Sequence, residues 1–175
     1  LPFTKTNGQA IFSYVNLNKV FTQGFDVSID HSINKNFTAK AGYQYLDAKD
    51  KDVVKRIKNG AVVKRDPVTY VSTYVTMAEY GGLFNRSKHT ANLQLFFISN
   101  NKKWNANIRA NYRGRYGYND INGDNILDDD REYVKGYVLL NTAITKSFKQ
   151  GFEIQAGAEN LLNHKDKDRL PNLPG

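Results

Sequence analysis

A chain of 175 residues with 40% hydrophobic side chains, 11 tyrosines and 10 phenylalanines is long enough for one ordinary domain and too rich in large apolar groups to be disordered. It has no cysteine, which excludes a disulfide scaffold, a zinc ribbon and a cysteine nucleophile. Its net charge of +8 raises the question of an anionic partner, while apolar runs of only a few residues exclude a membrane-spanning helix and a secretory h-region.

The first periodic segment is 19–33, where Phe21, Phe25, Val27, Ile29 and Ile33 fall on one parity and Thr22, Gly24, Asp26, Ser28 and Asp30 on the other. His31 is the exception on the apolar side. Period two predicts a strand, because successive side chains of a strand point to opposite faces. A polar turn at Asn34 to Asn36 leads into a second strand at 37–47, with Phe37, Ala39, Ala41, Tyr43 and Tyr45 opposite Thr38, Lys40, Gly42 and Gln44. A long connection then covers Ala48 to Phe84. In it Asn59-Gly60 separates Val53–Lys58 from Ala61–Arg65, and Asn-Gly between strand-forming runs predicts a small hairpin. A further extended stretch, Val68 to Met77, is expected to pair there.

A third strand is predicted at 90–98, where Ala91, Leu93, Leu95 and Phe97 oppose Thr90, Asn92 and Gln94, followed by a turn at Ser99 to Lys102. The longest alternation runs through 103–118. Trp104, Ala106, Ile108, Ala110, Tyr112, Tyr116 and Tyr118 are even, while Asn105, Asn107, Arg109, Asn111, Arg113 and Arg115 are odd. A single strand of that length would run roughly 50 Å, about twice the common length in globular proteins. After a long connection at Asn119 to Glu132, two less regular strands are expected at 133–148 and 152–163. They are joined by a turn at Lys149 to Gly151, and the chain from His164 onward forms another long connection.

Short turns thus alternate with long loops along an all-β, antiparallel chain, the layout of an outer-membrane barrel with periplasmic turns and extracellular loops. The mean hydropathy of −0.60 does not oppose this, since alternating walls average to a polar composition. Alternation alone does not separate an apolar face turned outward from one turned inward. A soluble or surface-exposed β-rich binding module, lipocalin-like or a sandwich, has the same pattern. Strand length, the regular succession of turns and loops, and a polar face carrying Asp26, Asp30, Lys40, Arg109, Arg113, Arg115, Glu153 and Glu159 favour the membrane.

Six blocks carry a family resemblance. They are Gln23-Gly24-Phe25-Asp26, Tyr43-Gln44-Tyr45-Leu46-Asp47-Ala48, Asn85 to Leu93, Tyr112-Arg113-Gly114-Arg115-Tyr116, Gly136 to Asn141, and Ala158-Glu159-Asn160-Leu161-Leu162-Asn163. In this order and spacing the chain resembles the TonB-dependent outer-membrane receptors. The resemblance implies a transmembrane barrel of about 22 strands around a plug, of which this chain supplies about six. Residues 1–175 would be a C-terminal portion of that barrel. By the same resemblance, the family's plug and the final strand that follows Leu173-Pro174-Gly175 in the family would lie outside this chain. It further implies TonB-dependent uptake of a large scarce solute, such as a siderophore, haem or cobalamin, across a Gram-negative outer membrane. The partners so implied are outer-membrane lipid and lipopolysaccharide, the TonB complex acting through the plug, a small-molecule or metal-chelate ligand, and a surface lipoprotein. In a closed receptor Arg109, Arg113, Arg115 and Glu159 would face the lumen and plug.

The sharpest local motif is the acidic loop Asp120 to Glu132. An EF-hand loop supplies oxygens from positions 1, 3, 5, 7, 9 and 12. Asp120, Asn122, Asp124 and Asp128 occupy 1, 3, 5 and 9, and the Ile126 carbonyl occupies 7. Arg131 stands at 12, so Glu132 would have to be rotated in, and Asn125 at 6 tolerates a left-handed turn. Calcium is the cofactor this predicts; a solvated acidic turn is the alternative. The basic loop with Lys51, Lys55, Arg56, Lys58, Lys64 and Arg65 reads as a solvated hairpin or an attractor for anions. His31, His89 and His164 are scattered. No enzyme is expected. Asp26 and Asp30 lie roughly 13 Å apart on one strand face, too far for a glycosidase pair, and neither a serine-hydrolase elbow nor a phosphate loop is present. Nucleic acid is not expected either, because the arginines and aromatics alternate to opposite faces.

Overall fold

The computed structural model describes residues 19–66 and 68–165, together with the backbone of 2–4 and 10–12. In chain order the elements are β1 (Pro2–Thr4), β2 (Ala10–Phe12), β3 (Val20–Ser32), β4 (Phe37–Asp50), α1 (Lys51–Lys58), β5 (Val63–Arg65), β6 (Ser72–Tyr74), β7 (His89–Ile98), β8 (Trp104–Arg113), β9 (Tyr116–Gly117), β10 (Tyr133–Val134), β11 (Tyr137–Ser147) and β12 (Glu153–Ala158). Two 3-10 turns, Asp130–Glu132 and Lys149–Gly151, complete the list.

Six of these strands form one antiparallel sheet in the order β3-β4-β7-β8-β11-β12, so each long strand pairs with the next one along the chain. The short connections make this meander possible. Asn34 Oδ1 accepts from the amides of Asn36 and Phe37 at 2.9 and 3.0 Å, and Asn101 Oδ1 accepts from the Lys103 amide at 3.0 Å. These are side-chain-closed turns of the kind that asparagine favours. The expectations of a turn at Asn34 to Asn36 and of all six long strands therefore hold.

Register fixes which side chains share a surface. Ile29 faces Ala41, Ala41 faces Leu93, Leu93 faces Ala110 and Ala110 faces Leu140. One residue along, Asp30 faces Lys40, Lys40 faces Gln94, Gln94 faces Arg109 and Arg109 faces Asn141. The two rows point to opposite faces, and a one-residue slip anywhere would mix them. The apolar face is bare: Ile29 is 62% exposed, Ile108 47% and Leu93 45%. A sandwich or a lipocalin-like barrel would bury that face. Aromatic rings lie towards both ends of it. Phe37 and Phe97 stand 4.9 Å apart near the short turns, and Phe25, Tyr45 and His89 make contacts of 5.8 and 5.4 Å near the long loops. From Phe37 to Tyr43 the strand climbs about 20 Å, close to the height of the apolar band between the aromatic girdles of an outer-membrane barrel.

The buried core lies elsewhere, at the long-loop end. Ile57, Val62, Val75, Tyr80 and Ile126 form it, with Val53, Val54 and Met77 packed against them. This explains the first departure from the sequence reading. Residues 51–58 are helical, not a hairpin arm. Asp50 accepts from the amides of Asp52 and Val53 as the N-cap, and Val53, Val54 and Ile57 share the face turned to the core. Gly60, at φ 66°, closes the helix: its amide donates to Ile57 O and that of Ala61 to Arg56 O. Asn59-Gly60 is therefore a Schellman stop and not a hairpin turn. The hairpin forms further on. Val63–Arg65 pairs with Ser72–Tyr74, as expected for the stretch after Val68, around a turn held by Asp66 Oδ1 on the amides of Val68 and Thr69.

The long alternation at 103–118 also breaks. β8 stops at Arg113 because the Gly114 amide turns to His89 O at 2.8 Å, where a Cβ would meet that carbonyl. Tyr116–Gly117 then pairs with Tyr133–Val134, outside the main sheet. The segment at 133–148 breaks in turn at Lys135-Gly136, where Gly136 packs on the Arg113 carbonyl. The longest strand is β4, with 14 residues. β12 ends at Ala158, short of Asn163; beyond it the Asn160 amide bonds Asn141 Oδ1 and that of Leu161 bonds Leu140 O, both at 2.8 Å. The connection expected after His164 lies, past Lys165, outside the described residues.

Candidate functional site

The acidic loop closes on itself through main-chain amides. Asp120 accepts from the amides of Gly123 and Asn125 at 2.7 and 2.8 Å, Asn122 Oδ1 from that of Asp124 at 3.1 Å, and Asp124 Oδ1 from that of Ile126 at 2.7 Å. Asn125 takes the left-handed conformation expected of it, at φ 63°. The loop's apolar pair turns the other way. Ile126 and Leu127 are both 0% exposed, and Ile126 completes the core built by α1 and its hairpin. The Leu127 carbonyl accepts from the Gly81 amide at 2.8 Å, which ties the second long loop to the first.

Glu132 does not swing in as a bidentate ligand. Its carboxylate is fully buried, with Oε1 accepting from the Ile121 amide at 3.2 Å and Oε2 from those of Asp128 and Asp129 at 2.9 and 3.0 Å. Asp129 and Glu132 form a capping box on the 3-10 turn. The spacing Asp-x-x-Glu is the sequence signature of that box and could have revealed it. Asn122 Nδ2 lies 3.2 Å from Asp124 Oδ2 and 3.4 Å from Asp128 Oδ1, so these three side chains converge. Among the described residues no group of three or more His, Cys, Asp or Glu side chains is gathered to hold a metal ion.

Charge follows this packing. Burial, reinforced by the charges of Asp124 and Glu132, pushes the Asp128 carboxyl up to about 6. Burial also raises Asp124. Hydrogen bonds from Arg131 hold Asp129 down at about 2. Across the core, Lys64 Nζ stands 2.5 Å from Glu79 Oε1 and, with Thr76, holds Glu79 at about 2. An open cleft of about 750 Å³ borders this end, with Arg86, Lys88 and Arg115 set against Glu79 and Asp128 to Asp130. The remaining cations of the basic loop are carried by α1 and the hairpin; Arg65 lies over the Tyr70 ring at 5.0 Å.

The arginines expected on one strand face are divided. Arg109 sits in the polar row between Gln94 and Asn141, and with Glu159 lines a shallow groove on that face. Arg113, at the strand end, reaches the Asn85 carbonyl at 3.1 Å and lies over the Tyr116 ring. Arg115 is beyond the strand altogether: it pairs with Asp130 at 2.6 Å and stacks on Tyr133. The histidines stay apart. His31 faces Ala39 near a short turn, the His89 ring hydrogen-bonds Tyr43 at 2.7 Å, and His164 stacks on Tyr137 at 4.0 Å.

Comparison with known families gives one decisive match. A family described as TonB dependent receptor-like, beta-barrel, covers residues 2–161. The chain belongs to this family. No curated protein matches it. TonB-dependent receptors are outer-membrane transport proteins of Gram-negative bacteria and not an enzyme family. The six-stranded meander with one bare apolar face is a stretch of such a receptor's barrel, and the packed loops stand at one end of it.

Proposed function

We propose that this TonB-dependent receptor chain forms part of the wall and outer mouth of a transporter that takes a large, scarce solute across the outer membrane. A siderophore, haem or cobalamin is the class of ligand meant. The observation that carries the reading is the separation of the two neighbouring rows, Ile29-Ala41-Leu93-Ala110-Leu140 against Asp30-Lys40-Gln94-Arg109-Asn141. The first suits lipid and the second suits a wet lumen. Arg109 and Glu159 then look towards a plug, whereas Arg113 and Arg115 brace the mouth. The long-loop end faces outward and receives the ligand, and the short turns face the periplasm. TonB, pulling through the plug, supplies the energy. The cations of α1 and its hairpin meet lipopolysaccharide phosphates, and the rim of the loops is where a surface lipoprotein would dock.

Residues 1–175 contain no cysteine, so within this stretch the only thiols are those introduced, and the test is made in a parent freed of any others. Single cysteines at Leu93 and Ile108, in the intact protein in outer membranes, are expected to resist a water-soluble maleimide and to be quenched by lipid-borne reagents. Cysteines at Asn107 and Gln94 are expected to do the reverse. In energised cells, uptake of ferric siderophore, haem or cobalamin is expected to depend on this protein and to stop when TonB is removed. Labelling that ignores the two rows, or uptake indifferent to TonB, would overturn the reading.

A further inference from the structure

One carboxylate oxygen of the acidic loop lacks a partner. Asp128 is 8% exposed, and its Oδ2, closed off from solvent, has no hydrogen-bond donor. Leaving a buried carboxylate oxygen unpaired is costly, more so when the group is charged. The other oxygen of the same group, Oδ1, points into the loop, where Asn122 Nδ2 reaches both it and Asp124 Oδ2. Among the described residues, none of the nearby cations forms an ion pair with Asp124 or Asp128: Lys64 pairs with Glu79, Arg131 with Asp129 and Arg115 with Asp130, while Arg56 acts on Asp124 only from a distance. Two carboxylates, one of them deeply buried, therefore face each other with only an amide nitrogen between them.

We propose that a calcium ion binds between Asp124 and Asp128, with Asn122 turning its amide oxygen to it, and that this ion locks the two long loops together. Calcium accepts an irregular set of six to eight oxygens from carboxylates, amides, main chain and water, whereas magnesium demands a near-octahedral set. The site combines side-chain oxygens with an exposed rim at Asn122, where water completes the shell. The lock follows from chain order. Ile126 and Leu127 lie between the two carboxylates, and both are fully buried against the first loop. Fixing residues 124 and 128 holds that pair in the core.

The test uses the intact protein in detergent, stripped with a chelator and then titrated with calcium chloride or magnesium chloride. Titration heat is read alongside amide hydrogen exchange over residues 51–65. Calcium at ten times its dissociation constant is expected to slow exchange in α1 and β5 about tenfold, and magnesium to leave it unchanged. Asp128→Asn is expected to abolish both the heat and the protection while keeping calcium-free exchange no faster than in the parent, because a neutral amide removes the charge from the buried place. Asp130→Asn is expected to behave as the parent. No calcium response in the parent, an equal response to magnesium, or a full calcium response in Asp128→Asn would each overturn the proposal.

Discussion

The main-chain amide of Asp128 donates to Glu132 Oε2 at 2.9 Å, so the most buried carboxylate of the loop shapes its backbone while the Asp128 side chain is left to face Asp124. Glu132→Gln replaces one acceptor oxygen by a donor and sets it against amides that now point at it. The expected loss is on the order of 2 kcal/mol in the opening free energy of the loop core, read by hydrogen exchange at residues 53–65. Exchange there unchanged from the parent would show that Glu132 does not hold the core.

In calcium-free buffer the loop core should respond to pH in two opposite steps. Folded Asp128 titrates near 6, above an unfolded aspartate at about 4. The folded state therefore binds the proton more tightly, and stability rises as pH falls through that window. Glu79 and Asp129 are held at about 2, below their unfolded values. Their contribution is present above the ordinary carboxylate range and is lost as pH falls towards 2. Both sit in largely exposed ion pairs, so each is worth no more than about 1 kcal/mol. Calorimetric melting of the loop core is expected to peak between about pH 4 and 5. A melting temperature that falls steadily from pH 7 to pH 4 would contradict this.

Helix and hairpin readings of Asn59-Gly60 make different mutational predictions. As a helix stop, only Gly60 needs a left-handed backbone; Asn59 sits at φ −86°. Gly60→Ala should cost roughly 1 kcal/mol and Asn59→Ala close to nothing. Asp50→Ala, which removes the N-cap acceptor, should cost about 1 kcal/mol. Hydrogen exchange of α1 reads all three.

The two faces of β8 should tolerate charge unequally. Ile108 lies between Leu95 and Thr142 on the apolar face, and Asn107 lies one residue away on the other. Ile108→Arg is expected to destabilise the protein in lipid vesicles by about 2–4 kcal/mol, and Asn107→Arg by no more than about 0.5 kcal/mol. Urea unfolding in vesicles measures both, and equal losses would remove the assignment of lipid to the apolar face.

What was legible in advance was what is local. The strands at 19–33, 37–47 and 90–98 were readable because each face is written every second residue, and the side-chain-closed turn at Asn34 lies within reach of its own asparagine. Two further signals in the sequence carry more than one meaning. Asp50 before Val53, Val54 and Ile57 marks a helix start, but the β-branched residues also suit a strand, and only their burial with Tyr80 and Ile126 settles it. Asp129 to Glu132 spells a capping box, which takes Glu132 out of reach as a ligand.

The amino-acid sequence alone determined that this chain is an antiparallel meander with one apolar and one polar face, because alternation and turn chemistry act over a few neighbouring residues. Where the strands stop was decided in three dimensions. Arg113 ends β8 because the carbonyl of His89, on another strand, captures the Gly114 amide, and that turn carries Arg115 off the wall to Asp130. The loop core likewise exists only once Ile126 reaches α1. Burial of a side chain depends on partners far away in the chain, and no local pattern records them.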